Sequence, residues 1–374
     1  MARAAPLPRR PRRPEGKPPG GDGRGAKSNA SGRYERLARE AVDDGWSEED
    51  LPPLKTELTL ETPRKIINYV NSPFVGFDRS INPIRGCEHG CVYCFARPTH
   101  AYYGLSPGRD FETKLFAKPA AAELLRRELS TKNYDLKHIA IGTNTDPYQP
   151  AEKRLRLMRG ILKTLLDFRH PVSVLTKSAL IARDIDILKP MAEIGIVKTM
   201  LSVTTLDSAL ARAMEPRAST PKRRLDAIRR LREAGVAVGV MTAPMIPGLN
   251  DAELETLLEA AKDAGAQFAG FTILRLPLEV SMLFKEWLEA HYPDRAGKVM
   301  RAIRDMNGGR DYDPQWSRSR EPRTVYSRLI GDRFAKAIRR LKLDEEPPKL
   351  RHDLFRRPVE KTPQLSLFAD ATHE

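Results

Sequence analysis

Cysteine is scarce in this chain: there are three in 374 residues, and Cys87, Cys91 and Cys94 are all of them. So few, set so close, cannot build a disulfide framework. No cysteine remains elsewhere to ligate a second thiolate-bound centre. Long apolar runs are missing too. None approaches the roughly 18 residues needed to cross a membrane, and the N-terminal stretch has neither a signal-type apolar segment nor the amphipathic apolar residues of a transit peptide. These absences point to a cytoplasmic protein with no membrane partner. Acids are outnumbered, 49 Asp/Glu against 64 Lys/Arg, for a net charge of +15. Residues 1–34 hold nine Lys/Arg and two Asp/Glu among Pro, Gly and Ser, a composition that cannot bury enough apolar surface to order itself.

The cysteines stand in the run Arg85-Gly86-Cys87-Glu88-His89-Gly90-Cys91-Val92-Tyr93-Cys94. A C-x3-C-x2-C spacing on one short loop can give thiolates to three corners of a cubane iron–sulfur cluster. A carrier of electrons alone normally supplies a fourth cysteine; here the fourth iron is left open, as catalytic zinc leaves a position open for a small molecule. The competing reading is a Cys3His zinc site that uses His89 or His100, although structural zinc favours paired C-x2-C loops.

Cys87-x3-Cys91-Val92-Tyr93-Cys94, with an aromatic directly before the third cysteine, resembles the signature of the radical S-adenosylmethionine (radical SAM) superfamily. The longer run Asn82-Pro83 through Cys94-Phe95-Ala96-Arg97, with Thr143-Asn144-Thr145-Asp146-Pro147-Tyr148-Gln149-Pro150, resembles its spore photoproduct lyase-like branch. The resemblance covers about Lys55 to Pro277. It implies a [4Fe-4S] cluster on Cys87, Cys91 and Cys94 and SAM chelated to the open iron. One electron from a reductant such as flavodoxin or ferredoxin then breaks a C–S bond and releases a 5′-deoxyadenosyl radical that takes hydrogen from substrate.

Between these motifs the chain alternates short strand-like runs with helical patterns. Apolar or β-branched runs occur at Ile81–Ile84, His138–Gly142, Val172–Leu175, Thr199–Val203, Ala237–Met241 and Ala269–Leu274. Leu155, Met158, Ile161, Leu162 and Leu165 share one helical face. Asn250 before Asp251-Ala252-Glu253 reads as a capping box, and Pro119 as a first-turn proline. Units of about 30 residues suit right-handed βαβ crossovers. Six of them give an α/β fold, the partial (β/α)6 barrel that the resemblance implies, with mainly helical patterns after Leu274. The expected organisation is a mostly disordered basic tail and linker over 1–54 and a core domain over 55–277. A helical extension over 278–345 and a mobile tail over 346–374 follow.

Ligands of parallel α/β sheets sit beyond the carboxyl ends of the strands. One rim therefore gathers the cysteine loop, Thr143–Asp146, Thr176–Ser178, Ser202–Thr205 and Thr242–Met245. For SAM, Lys177 can pair with the carboxylate, Asp146 or the Thr145 hydroxyl can accept from the amino group, Ser202 can bond the carboxylate or ribose, and Tyr93 can lie against the adenine end. Glu215-Pro216-Arg217 can order the site through an ion pair, whereas His138 and His170 read as structural.

One departure stands out. Spore photoproduct lyases carry a further cysteine near the segment matched by Thr143–Asp146, and this chain has none, so the group that returns hydrogen to the product, and any catalytic residue, stay unassigned. DNA is the expected substrate, in lesion repair or processing. Modification of RNA or protein and a non-catalytic nucleic-acid-binding metal module are the alternatives. The basic stretch Trp316–Arg323 with Tyr312 and Tyr326 suits phosphate pairing and base stacking. In the tail, Gln364-Leu365-Ser366-Leu367-Phe368 resembles the pentapeptide that docks bacterial repair proteins on the DNA sliding clamp, with Gln364 as polar anchor and Leu365, Leu367 and Phe368 as apolar contacts.

Overall fold

The computed structural model describes residues 23–35, 54–70, 76–314, 324–343 and 346–358. Residues 1–22, the Trp316–Arg323 stretch and the Gln364–Phe368 peptide lie outside the described residues.

Ten strands form two sheets: β1 (Glu57–Leu60), β2 (Ile67–Tyr69), β3 (Arg79–Ile81), β4 (Ile84–Arg85), β5 (Lys114–Ala117), β6 (Ile139–Ile141), β7 (Val172–Thr176), β8 (Val197–Ser202), β9 (Val238–Met245) and β10 (Phe268–Ile273). The large sheet runs β10-β9-β8-β7-β6-β3-β2. Its six strands from β3 to β10 are all parallel, and β2 joins antiparallel at the edge. This is the expected six-unit α/β fold. Among the described residues its end strands β2 and β10 do not pair with each other, so the sheet stays open.

The crossover helices follow from apolar periodicity. In the helix Leu157–Asp167, Met158, Ile161, Leu162 and Leu165 are all buried against the sheet. Leu155 belongs instead to the preceding short turn of helix, because Arg156 takes a left-handed conformation and breaks the run. Pro119 precedes the helix Ala121–Ser130 rather than opening it. After β10 come helices over Glu279–His291, Pro293–Met306 and Val325–Arg340. The last of these covers the open edge, with Phe334 packed 4.4 Å from Phe271 and the Leu343 carbonyl accepting from the Ala269 amide.

The small sheet β1-β5-β4 escapes a reading by periodicity, since its strands are two to four residues long. It matters because β4 runs directly into Gly86 and Cys87, and its antiparallel pairing with β5 fixes where the cysteine loop begins. Part of the stretch expected to be mostly disordered also packs here. Arg24 is buried, donating to the Glu112 and Leu54 carbonyls, and the Gly25 and Ala26 amides bond the Glu112 carboxylate.

His170 plays the structural part expected of it. Its Nδ1 lies 2.9 Å from the Pro171 carbonyl, its Nε2 2.9 Å from the Tyr134 hydroxyl, and Phe355 from the C-terminal segment stands edge-on to the ring. Burial pushes its pKa down to about 3 from the ordinary 6.5. Between those values the unfolded chain binds a proton that the folded chain refuses, so stability is lost as the pH falls below 6.5. The loss is at most about 1.4 kcal/mol per pH unit for this group. Unfolding free energies for His170→Gln should therefore fall less steeply between pH 6 and 4 than those of the wild type. An unchanged slope would place the acid sensitivity elsewhere.

Candidate metal and cofactor site

Two glycines let the cysteine loop close. Gly86 and Gly90 have φ of +72° and +67°, and a Cβ on Gly90 would lie 2.7 Å from the Glu112 carboxylate. Beneath the loop Arg97, which is fully buried, donates to the Cys91 carbonyl at 2.9 Å, to Gly90 at 3.1 Å, to Pro107 and Gly108, and to Glu112 Oε1 at 2.5 Å. Gln149 holds the loop from the next strand's end. Its amide nitrogen donates to the Gly86 carbonyl at 3.1 Å, and its oxygen accepts the Glu88 amide at 2.9 Å. The Val92 amide bonds the Met214 carbonyl, which ties the loop to the segment after β8.

The three thiols lie close enough to act on one another. Cys87 and Cys91 are buried and Cys94 half-buried. Burial drives the Cys87 thiol well above its ordinary pKa, with Asp146, Cys91 and Cys94 adding to the effect. Cys91 is pushed up by burial and by Glu215, against the pull of Lys177. Thiols in this state need a strong cationic centre to ionise, and bound iron is one. The donor set suits a cubane that takes one thiolate per iron. Among the described residues no three His, Cys, Asp or Glu side chains gather as ligands of a single metal ion. Of the two histidines of the zinc alternative, His100 is engaged elsewhere. His100 Nε2 lies 3.0 Å from the Lys114 carbonyl with its ring edge-on to Phe111, and burial lowers its pKa to about 4. His89 Nδ1 faces Asp146 Oδ2 at 3.4 Å.

The expected SAM residues gather on the same rim, but in different roles. Lys177 lies at the carboxyl end of β7 with its ammonium 5.8 Å from the centroid of the Tyr93 ring. Burial opposes its charge, yet Cys91 and Glu215 hold its pKa above the usual lysine value. The Asp146 carboxylate is occupied within the protein: it accepts from the Tyr148 amide (2.9 Å), the Thr176 hydroxyl (2.6 Å) and the Lys177 amide (2.7 Å). Despite burial, His89, Thr176 and Lys177 keep it ionised far below the ordinary carboxylate range. Asp146 thus fixes the backbone of Lys177. The Thr145 hydroxyl donates to the Ile84 carbonyl at 2.6 Å, so it ties β6 to β4. Ser202 is buried at the end of β8, and its carbonyl accepts from Arg224 at 3.0 Å.

Glu215 is paired differently from the expected Glu215–Arg217 ion pair. It binds buried Arg224, takes a bond from the Tyr93 hydroxyl and accepts from Thr204 at 3.0 Å, while Arg217 pairs with Glu88 at 3.0 Å. Although burial works against the charge, Arg224 and Lys177 hold Glu215 ionised. Sequence reading missed Arg224, yet a signal exists. Arg224, Ala227, Ile228 and Leu231 form the buried stripe of the helix Pro221–Glu233, and a charge on such a stripe needs a buried partner.

The expected capping box at Asn250 is absent. Its side chain bonds the Ile246 amide and the Thr204 and Pro244 carbonyls, joining the ends of β8 and β9, and Glu253 turns to Thr205 and Leu206. Thr242–Met245 lies within β9 rather than beyond it. Tyr326 donates its hydroxyl to Asp251.

The sequence profile of the radical SAM superfamily matches residues 81–261. An uncharacterised protein of Mycobacterium tuberculosis is 38% identical over 238 residues, which is 63% of this chain and 69% of the relative. One from Methanocaldococcus jannaschii is 31% identical over 242 residues, 64% of this chain and 85% of its own. Among solved structures, the fold is similar to spore photoproduct lyase complexed with dinucleoside spore photoproduct. The TM-score is 0.52 at 14% identity, covering 76% of this chain and 79% of the other. A variant of that lyase with bound AdoMet and the same dinucleoside gives 0.51 at 15%, covering 76% and 78%.

Replacing Arg97 by Met should leave the Glu112 carboxylate buried beside the Gly25 and Ala26 amides without its cation. Loss of one partner of a buried pair costs about 3–5 kcal/mol, measurable as a lowered denaturant midpoint. Unfolding like that of the wild type would show that the two amides alone sustain the carboxylate.

Proposed function

We propose that this chain, which belongs to the radical SAM superfamily, carries its cluster on Cys87, Cys91 and Cys94 and acts on DNA. The superfamily's cofactors, a [4Fe-4S] cluster and SAM, are those of this protein, and it is an enzyme of the radical SAM type. The observation that carries the residue assignment is the meeting of three neighbouring thiols, two of them buried and one half-buried, with the Lys177 ammonium beyond the carboxyl ends of one parallel sheet. When bound and reduced by a one-electron donor such as a flavodoxin or ferredoxin, the cluster supplies the electron that opens the SAM sulfonium to a 5′-deoxyadenosyl radical.

The chain's own residues then have definite tasks. Lys177 offers its ammonium to the SAM carboxylate, and Asp146 positions it through the backbone amide. Tyr93, pinned by Glu215, presents a ring face beside that ammonium. Ser202, buried at the end of β8, offers its hydroxyl to the SAM carboxylate or ribose. Burial of Cys87, Cys91 and Tyr93 excludes water from the place where a radical must persist. Support for DNA comes from the +15 charge and from Lys153, Arg217, Arg223 and Arg230, which line one cavity together with His89 of the cysteine loop.

The test is release of 5′-deoxyadenosine by anaerobically reconstituted, reduced protein given SAM with ultraviolet-irradiated DNA, intact DNA or RNA. Release stimulated by DNA, and most by irradiated DNA, is expected; stimulation by RNA alone would remove DNA as the substrate. Lys177→Ala should weaken SAM binding by about ten- to a hundred-fold, the worth of a charge-assisted hydrogen bond, while iron content holds. Unchanged SAM affinity would move the carboxylate contact to another residue.

A further inference from the structure

A polar cavity of about 200 Å³ opens on the same rim beside the cysteine loop. It lies among the ends of β3 and β6, the edge strand β2, and the 3-10 helix Arg97–Tyr103 that follows Cys94. Asn82, Asn144, Arg85, Lys118, Tyr102 and Tyr103 line it. Nothing in the site described above uses these residues.

Its charge is cationic. Lys118 is buried, and its ammonium donates to the Asn82 carbonyl at 2.7 Å, which leaves further donors for a ligand. Arg85 lies 4.9 Å over the Tyr103 ring, with Glu61 at 3.1 Å as its carboxylate partner. His100, also on the wall, is neutral near pH 7. Burial and then the nearby Arg85 lower the Lys118 pKa to about 8, against a smaller pull from Glu61. An anion in the cavity would relieve that repulsion. The Asn82 side-chain oxygen is buried and has no hydrogen-bond partner among the described residues.

Aromatic surface continues outward from the cavity. Tyr102 is 69% exposed and stacks on Tyr34, itself 56% exposed, with ring centroids 5.5 Å apart and planes 25° apart. The Arg33 guanidinium lies over both rings, at 5.4 and 6.0 Å, and is held by Glu279. An exposed tyrosine pair next to a cationic pocket does not serve the core. The two match the stacking platform and phosphate contact of a single strand.

We propose that this cavity holds one backbone phosphate of a DNA strand between Arg85 and Lys118, with a neighbouring base stacked on the face of Tyr102 turned away from Tyr34, so that the strand is led to the cysteine loop. The inference rests on the reading of DNA as substrate and adds the path by which it arrives. Asn82 and Asn144 face the sugar or base edge next to that phosphate.

The experiment measures binding of a fluorescent single-stranded DNA oligonucleotide to the full chain by anisotropy at several salt concentrations. Tyr102→Ala should weaken binding roughly five- to a hundred-fold, the worth of one base–aromatic stack, without changing the salt dependence. Lys118→Gln should weaken binding and make the slope of log K against log[salt] shallower by about 0.7, one phosphate contact on a single strand. Exposed Tyr102 can be removed without disturbing the core, so the test survives a Lys118 variant that fails to fold. Wild-type binding by Tyr102→Ala would overturn the proposal, as would a folded Lys118→Gln protein with an unchanged slope, or a preference for RNA of the same sequence. Release of 5′-deoxyadenosine is scored separately. Its absence from the wild type would end the enzymatic reading and leave the binding result standing.

Discussion

The Arg97 guanidinium is buried beneath a loop of eight residues, and the order of the site depends on where its hydrogen bonds go. Four backbone carbonyls and one carboxylate receive them. A guanidinium removed from water tolerates no idle donor, so the carbonyls of Gly90 and Cys91 are fixed relative to the helix that carries Arg97. Glu112 faces the same demand from the other side, and two amides of the N-terminal segment meet it. The close approach is possible because residue 25 is glycine: a Cβ there would lie 1.8 Å from the Gly90 carbonyl oxygen. Loop, helix and N-terminal segment thus form one unit.

A second buried pair performs the corresponding service across the rim. Arg224 holds Glu215, Glu215 holds the Tyr93 hydroxyl, and the Tyr93 ring meets the Lys177 ammonium. Asp146 holds the Lys177 backbone from β6. The elements that bring these groups together are successive strands of a parallel sheet, whose carboxyl ends must all open on one side. The architecture therefore decides that the thiols and the ammonium meet; the two ion pairs decide how rigidly.

Much of this was legible in the sequence. Parallel strands buried on both faces read as short apolar runs, and all six appear within a few residues of their expected places. The cysteine spacing singled out the three residues proposed as donors. What escaped depends on contacts between distant residues. Arg97 and Glu112 are fifteen positions apart and look like ordinary surface charges until the chain folds. The Glu215–Arg217 pairing was a guess from adjacency that Arg224 overturned from within a helix rich in arginine. Asn250 had the spacing of a capping box, but its amide serves two strand ends instead. Residues 23–35 were judged by composition, which carries no information about backbone amides such as those of Gly25 and Ala26.

The proposed centre has three thiolates and leaves one iron of a cubane open to SAM. Electron paramagnetic resonance of the anaerobically reconstituted, reduced protein tests this most directly. One reduced [4Fe-4S] cluster per chain is expected, with a signal whose g-values shift when SAM is added and that is lost when Cys87, Cys91 and Cys94 are replaced by Ala. Stoichiometric zinc without iron, or a cluster signal indifferent to SAM, would contradict it.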